Sequence, residues 1–283
     1  MAEKKEKLFD QFPAISTEEW KAKVDADLKG VPFEKKLVWR TNEGFNVQPM
    51  YRAEDIENLK TTDSLPGEYP YVRGTRTEND WLTRQEIIAG TAAEANAKAI
   101  EVLGKGVTSL GFKVEETTVE TVATLLKGID ISKVEINFSC CPCHATELAQ
   151  AVVDYVKTNN ACDSFHGSID FNPYRRAFKH GAQIPAEMAQ KAVELLSIVK
   201  DVPALRVLSV NSDTLNNAGA YIFQELGYAL AWGAEWLTLL TEAGVSVDEV
   251  AKRIKFNMGI SSNYFMELAK FRAARMLLSL IHI

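Results

Sequence analysis

The chain has 283 residues, 46% of them hydrophobic, and its 38 acidic against 32 basic side chains give a net charge of -6. That length can bury a large core and still leave an arm, and the scatter of Lys and Arg along the chain disfavours a nucleic-acid-binding face. No apolar run approaches the ~20 residues that span a bilayer, and the start, MAEKKEKLFDQF, has no apolar stretch after its lysines, so the expectation is a cytoplasmic protein with neither membrane span nor signal peptide.

Residues 1–80 read as an extended N-terminal arm, holding a short amphipathic helix around Thr17 to Leu28 and then the stretch LVWRTNEGFNVQPMY. Trp20, Phe33, Trp39, Phe45 and Tyr51 recur there without the density of a self-contained core. Such an arm must bury them against another surface.

After Glu86 apolar strands and amphipathic helices alternate. A helix is expected at about Ala92 to Leu103, a strand at Thr108 to Phe112, a helix at Val119 to Lys127 and a strand at Val134 to Ser139. A helix at Ala145 to Lys157, a strand at Gly167 to Phe171, a helix at Pro185 to Val199 and a strand at Leu205 to Val210 follow. A long helix then covers about Asn217 to Glu242, a short one Val247 to Arg253, a strand Ile254 to Met258 and a closing helix Ser262 to Leu280. The alternation implies parallel βαβ units. A doubly wound dinucleotide fold needs a Gly-rich turn after its first strand, whereas here only Gly111 precedes Phe112, Lys113 and Val114. The expected class is therefore α/β, a (β/α)8 TIM-type barrel over 81–283 that follows the arm. It is expected to be incomplete, since closure takes more strands than remain before Ile283.

Cys140, Cys141, Cys143 and Cys162 are too few and too clustered for a disulfide framework, so reduced thiols are expected. The run Cys140-Cys141-Pro142-Cys143-His144 has metal-like or redox-like spacing, yet no second ligand pair matches it. Its place between a strand and a helix suits Pro142 in a first helical turn and thiols as small apolar packing groups, so no metal site is expected. A helix N-terminus can still lower the pKa of one of these thiols. His166, at a strand entrance, reads as a core or rim histidine, and Trp232 and Trp236, four apart on a helix, as a packing pair.

Several segments, in order, resemble the methylmalonyl-CoA mutase family: LVWRTNEGFNVQPMY (37–51), PGEYPYVRGTR (66–76), WLTRQEIIAGTAAEAN (81–96), NNAGAYIFQELGYALAWGAEW (216–236) and FNMGISSNYFMELAKFRAARML (256–277). Together they cover most of residues 17–277. The resemblance implies a (β/α)8 barrel threaded by the CoA chain, then a flavodoxin-like cobalamin domain, and an arm that wraps the partner subunit. It implies radical interconversion of methylmalonyl-CoA and succinyl-CoA with adenosylcobalamin. The ending LLSLIHI leaves the family pattern after Leu277, which is the expectation for a truncated or chimeric end.

Departures from the pattern fall at the positions that carry the chemistry. Active subunits have Tyr directly after the Arg-Gln pair, where this chain has Glu86; their Tyr-His pair corresponds to Asp213 and Thr214; and the Gln of a Gly-Thr-Ile-Gln strand corresponds to Asp170. The family's substrate-carboxylate Arg falls on His180, with Arg175 and Arg176 nearby. Added acids repel a dicarboxylic thioester. The cobalamin motif Asp-x-His-x-x-Gly is absent, because none of the four histidines has Asp two residues before it. Arg84 and Gln85 keep their family identities, either as a relic of CoA-channel contacts or, for Arg84, as a partner of Asp80 or Glu86.

The resemblance thus implies the small, catalytically degenerate subunit of a heterodimer, whose large subunit binds adenosylcobalamin and catalyses. Two alternatives are an acyl-CoA mutase of altered specificity with Glu86, Asp213 and Thr214 in its pocket, and a metal or thiol enzyme built on the cysteine cluster. The second leaves the arm motifs unexplained.

Overall fold

In a computed structural model the chain is described over residues 9, 11–184 and 187–281, and it divides into two compact units, 1–63 and 64–283. In the first unit, Ser16 Oγ accepts the Glu19 N–H at 3.2 Å while the Glu19 carboxylate accepts the Ser16 N–H at 3.0 Å. This reciprocal cap satisfies two orphan donors and starts α1 (Thr17–Leu28), the helix expected there. Lys29 and Gly30, both at positive φ, stop it. The unit continues with α2 (Phe33–Lys36) and a two-stranded hairpin of β1 (Trp39–Arg40) and β2 (Asn46–Val47). Trp20 meets Phe33 edge-on at 6.2 Å, yet no described residue of this unit is buried.

The second unit holds a six-stranded sheet with every neighbouring pair parallel, in the order β3 (Arg84–Ile87), β4 (Ser109–Lys113), β5 (Glu135–Ser139), β6 (Gly167–Phe171), β7 (Leu205–Asn211) and β8 (Ile254–Asn257). The order follows the chain without reversal, so the sheet has no switch-point crevice of the doubly wound kind. Between the strands lie α3 (Ala92–Leu103), α4 (Val119–Leu125), α5 (Ala145–Thr158), α6 (Tyr174–His180), α7 (Met188–Ile198), α8 (Asp213–Asn217), α9 (Ile222–Glu242) and α10 (Val247–Arg253). The last element is α11 (Tyr264–Ile281). No helix among the described residues is long and apolar enough to cross a membrane.

Most expected elements are present within a few residues, but three differ. β3 was not anticipated: RQEI has one apolar residue and is held by its ladder to β4 rather than by propensity. The long helix expected from Asn217 is broken, because Gly219 at φ +96° separates α8 from α9. The seven-residue α6 had no sequence counterpart, while α7 begins at Met188; Pro185, the expected helix start, lies outside the described residues.

One sheet face carries the core. Leu110, Phe112, Ile136, Phe138, Ile169 and Phe171 are at most 1% exposed, each burial contributing ~1.5–3 kcal/mol, and they meet a helix layer that includes Leu148, Val152 and Val156 of α5. Trp236 is fully buried with its indole N–H donating to the Ser209 carbonyl at 3.2 Å, and Trp232 packs beside Tyr174, so the expected tryptophan pair is core.

Candidate functional site

Strand side chains alternate between faces, so the residues between those core positions share the opposite face. The ladder registers set them in rows: Arg84, Ser109 and Glu135; Glu86, Gly111, Asn137 and Ser168; Lys113, Ser139 and Asp170; Ser209 and Lys255; Asn211 and Asn257. Every side chain in them is polar or absent. A sheet buried on both sides reads as continuous apolar strands. This one has a polar face, onto which a cleft of about 730 Å3 opens.

Lys255 anchors the middle of that face, its amine donating to Asn137 Oδ1 at 2.7 Å and Ser168 Oγ at 3.0 Å. Burial, reinforced by the nearby Arg84 charge, brings the amine down to about 8. Burial works to raise the Glu135 carboxyl, but hydrogen bonds from Ser109 at 2.6 Å and Asn137 at 3.2 Å, with the Lys255 and Arg206 charges, hold it below the ordinary value. Arg206 pairs with Glu135 at 2.8 Å.

The positions singled out in the sequence separate into two groups. Arg84, Glu86, Asp170 and Asp213 all line the cleft, as does Arg175. Arg84 Nη2 lies 2.6 Å from Glu86 Oε1, so one of the two expected acids holds its guanidinium. Asp170 accepts from Asn211 at 2.9 Å, and Asn211 in turn accepts from Asn257 at 2.6 Å. Asp213 has a buried Oδ1 with no hydrogen-bond partner in the structure, and burial, with the charges of Asp170 and Glu225 adding, pushes its carboxyl up.

Gln85 points to the other face of β3, exposed, its amide donating to the Glu86 carbonyl at 2.9 Å. Thr214 sits one residue into α8 and does not line the cleft, nor does His180, which is exposed at the end of α6. The Arg176 side chain lies outside the described residues. Sequence reasoning missed Lys255, Asn211, Asn257 and Arg275, which also line the cleft. The available signal was period-two alternation: Lys255 and Asn257 flank Phe256, as Ser209 and Asn211 flank Val210.

The cysteine run corrects an expectation. Cys140 and Cys162 are half-buried against the core, but Cys141 and Cys143 are exposed rather than packed. His144 Nδ1 is 2.9 Å from Glu147, and no three His, Cys, Asp or Glu side chains among the described residues converge as metal ligands. His166 is an exposed rim histidine, its Nδ1 2.7 Å from the Ser164 carbonyl oxygen. None of these imidazoles reaches the 730 Å3 cleft. Among the described residues the cleft is therefore a polar surface of mixed charge, with no three metal-ligating side chains converging and no imidazole in its lining.

The sequence profile of methylmalonyl-CoA mutase matches residues 40–119 and 111–282. The methylmalonyl-CoA mutase small subunit of Porphyromonas gingivalis is 56% identical over 98% of this chain and 45% of that protein. The small and large subunits of the Streptomyces virginiae mutase are each 27% identical over 94% of this chain, covering 45% and 40% of their own lengths. The chain spans less than half the length of these curated relatives. With matches running from the hairpin of the first unit to the last helix, the chain belongs to the methylmalonyl-CoA mutase family.

Proposed function

We propose that the chain is the barrel portion of a methylmalonyl-CoA mutase small subunit, catalytically inactive by itself, and that it pairs with a large subunit in which methylmalonyl-CoA and succinyl-CoA are interconverted. Six parallel strands in chain order, with an apolar face under a helix layer and a polar face opposite, support the reading of a (β/α)8 barrel whose polar face lines the axis. The high identity to a relative named as a small subunit supports the same reading.

The observation that carries the inactivity is the placement of Glu86, Asp170 and Asp213 in one cleft. A substrate carboxylate brought within ~4 Å of one such acid meets roughly 1–4 kcal/mol of repulsion. The partly exposed Arg84 offsets little of that, since Glu86 already pairs with it and exposed pairs contribute ~0.2–1 kcal/mol. Adenosylcobalamin, which supplies the radical chemistry, does not fit the described residues of the cleft, none of which is an imidazole. It belongs, in this proposal, to the large subunit.

Pairing is assigned to the 1–80 arm. Trp39, Phe45 and Tyr51 are each about half exposed, at 48%, 48% and 58%, and burial on a partner recovers ~1.5–3 kcal/mol for each one fully covered. The test is co-purification of intact and arm-deleted chains with the cognate large subunit, alongside an isomerisation assay of the isolated chain with adenosylcobalamin. Loss of the large subunit on arm deletion, and no turnover by the isolated chain, are expected. Equal recovery would return the arm's aromatics to the chain's own surface, and turnover by the chain alone would overturn the inactive-subunit reading.

A further inference from the structure

We propose that Cys141 and Cys143 form a dithiol–disulfide switch at the junction between β5 and α5. Both side chains are exposed, and a hydrogen bond joins their thiols. The backbone produces this pairing: Cys141 is extended at φ -62°, ψ 133°, and Pro142 then opens the single tight turn Pro142–His144. Proline's fixed φ suits that first helical position, so the turn is preorganised with residues 141 and 143 on either side of Pro142.

The neighbouring thiols are placed out of competition. Cys140 turns toward the core, its thiol donating to the Cys141 carbonyl at 3.3 Å, and burial pushes it up to about 12. Cys162 lies half-buried elsewhere on the core. Among the described residues no three His, Cys, Asp or Glu side chains converge here, and His144 pairs with Glu147.

The same hydrogen bond orders the chemistry. It favours the proton on Cys143, whose thiol it pushes up. Cys141 is therefore the attacking thiolate and Cys143 the resolving thiol. With a small-molecule disulfide such as oxidised glutathione as oxidant, the Cys141 thiolate attacks one sulfur, forms a mixed disulfide and releases one glutathione thiolate, which takes up a proton. Cys143 then loses its proton to solvent, attacks the Cys141 sulfur and expels the second glutathione. Two protein thiols lose two electrons and two protons; one glutathione disulfide becomes two glutathione thiols. An exposed disulfide closing so small a ring belongs to the labile, readily reversed class. Ser139, which ends β5 just before this run, lines the cleft, two residues before Cys141.

The test uses the whole reduced chain incubated with oxidised glutathione. Expected are loss of two hydrogens in intact mass, a fall in titratable thiols from four to two, a Cys141–Cys143 linkage in the fragmented peptide, and full reversal by a monothiol. Cys141→Ser should show no product beyond background, and Cys143→Ser should stop at the mixed disulfide on Cys141. Because the linkage is read in the wild-type chain, the result does not depend on the variants folding. A linkage through Cys140, a persistent glutathione adduct on the wild type, or no reaction would each overturn the proposal.

Discussion

Lys270 of α11 and Glu225 of α9 form an ion pair of 2.6 Å with both side chains fully sealed from solvent. Lys270 also donates to the Gly259 carbonyl at 2.7 Å and reaches Glu267 at 2.5 Å, while Glu225 accepts from Asn216 and from the Gly259 N–H. The network ties the two long helices to the turn after β8. Removing one partner of a buried pair costs ~3–5 kcal/mol, because it strands a charge. Lys270→Met strands both Glu225 and Glu267 and is expected at the upper end of that range in urea unfolding at pH 7. Glu225→Gln/Lys270→Met should lose less than the lysine variant alone; a double variant that is worse would mean that the hydrogen bonds Glu225 accepts from Asn216 and the Gly259 N–H outweigh the cost of burying its charge.

The same network sets an acid limit. Burial works to raise the Glu267 carboxyl, but the hydrogen bonds from Lys270 and Ser261 outweigh it and hold the folded value below 4.5. A depressed folded value contributes stability above the unfolded one, and that contribution is lost as pH falls through the folded value. Wild-type unfolding free energy should therefore decline below pH ~4.5 more steeply than that of Lys270→Met. Parallel slopes would remove Glu267 from the account.

The sequence revealed the elements and hid the pairings. Strands such as EINFS and helices such as α5 carry their periodicities openly, and the family resemblance located Arg84, Glu86, Asp170 and Asp213, which fold into one cleft. β3 was illegible because its four residues are held by a neighbour rather than by their own propensity. Lys270 and Glu225 are 45 residues apart and look like ordinary solvated helix charges until the fold seals them. The cysteine run was legible as a cluster, but which thiols face water depends on the turn at Pro142.

Two glycines on the strands should respond in opposite ways. A Cβ at Gly167 meets the Ile136 backbone carbonyl in the neighbouring strand, which cannot yield without breaking the ladder. The nearest atoms to a Cβ at Gly111 are those of the Glu86 carboxylate, the movable end of a half-exposed side chain. Gly167→Ala should cost about 3 kcal/mol or prevent folding, and Gly111→Ala less than about 1 kcal/mol. Comparable midpoints in urea would show that the strands adjust more freely than close packing allows.

Lys255 should titrate far below an ordinary lysine. Its folded value of about 8 lies under the ordinary 10.5, so the folded chain loses this proton first as pH rises. The cost of burying the ammonium is fully present below pH 8 and is relieved between 8 and 10.5, so stability gains with pH across that window. Reductive methylation with a labelled carbon, followed by NMR titration and assignment through Lys255→Met, should give one lysine with a midpoint near 8. A Lys255 signal at the ordinary lysine midpoint would mean that its contacts with Asn137 and Ser168 stabilise the ammonium more than burial disfavours it.

The cleft's acids supply the last prediction, since they decide what the polar face can hold. Glu86, Asp170 and Asp213 share it with Arg84, Arg175, Lys255 and Arg275. Of its cations, Arg84 is paired with Glu86, and Lys255 donates to oxygens of Asn137 and Ser168. Replacing the three acids by isosteric amides, Glu86→Gln, Asp170→Asn and Asp213→Asn, keeps the side-chain volumes and leaves the Asn211 contact of residue 170 an acceptor. It also gives the buried Oδ1 of residue 213 no new charge to desolvate. At ~1 kcal/mol for each partly exposed charge, the three changes together strengthen dicarboxylate binding by about two orders of magnitude. Calorimetry with succinate should show no measurable binding to the wild type and binding to the triple variant, weakening as salt is raised because the gain is electrostatic. If the triple variant binds no better than the wild type, the acids are not what excludes a dicarboxylate, and the obstruction lies in the shape of the cleft instead.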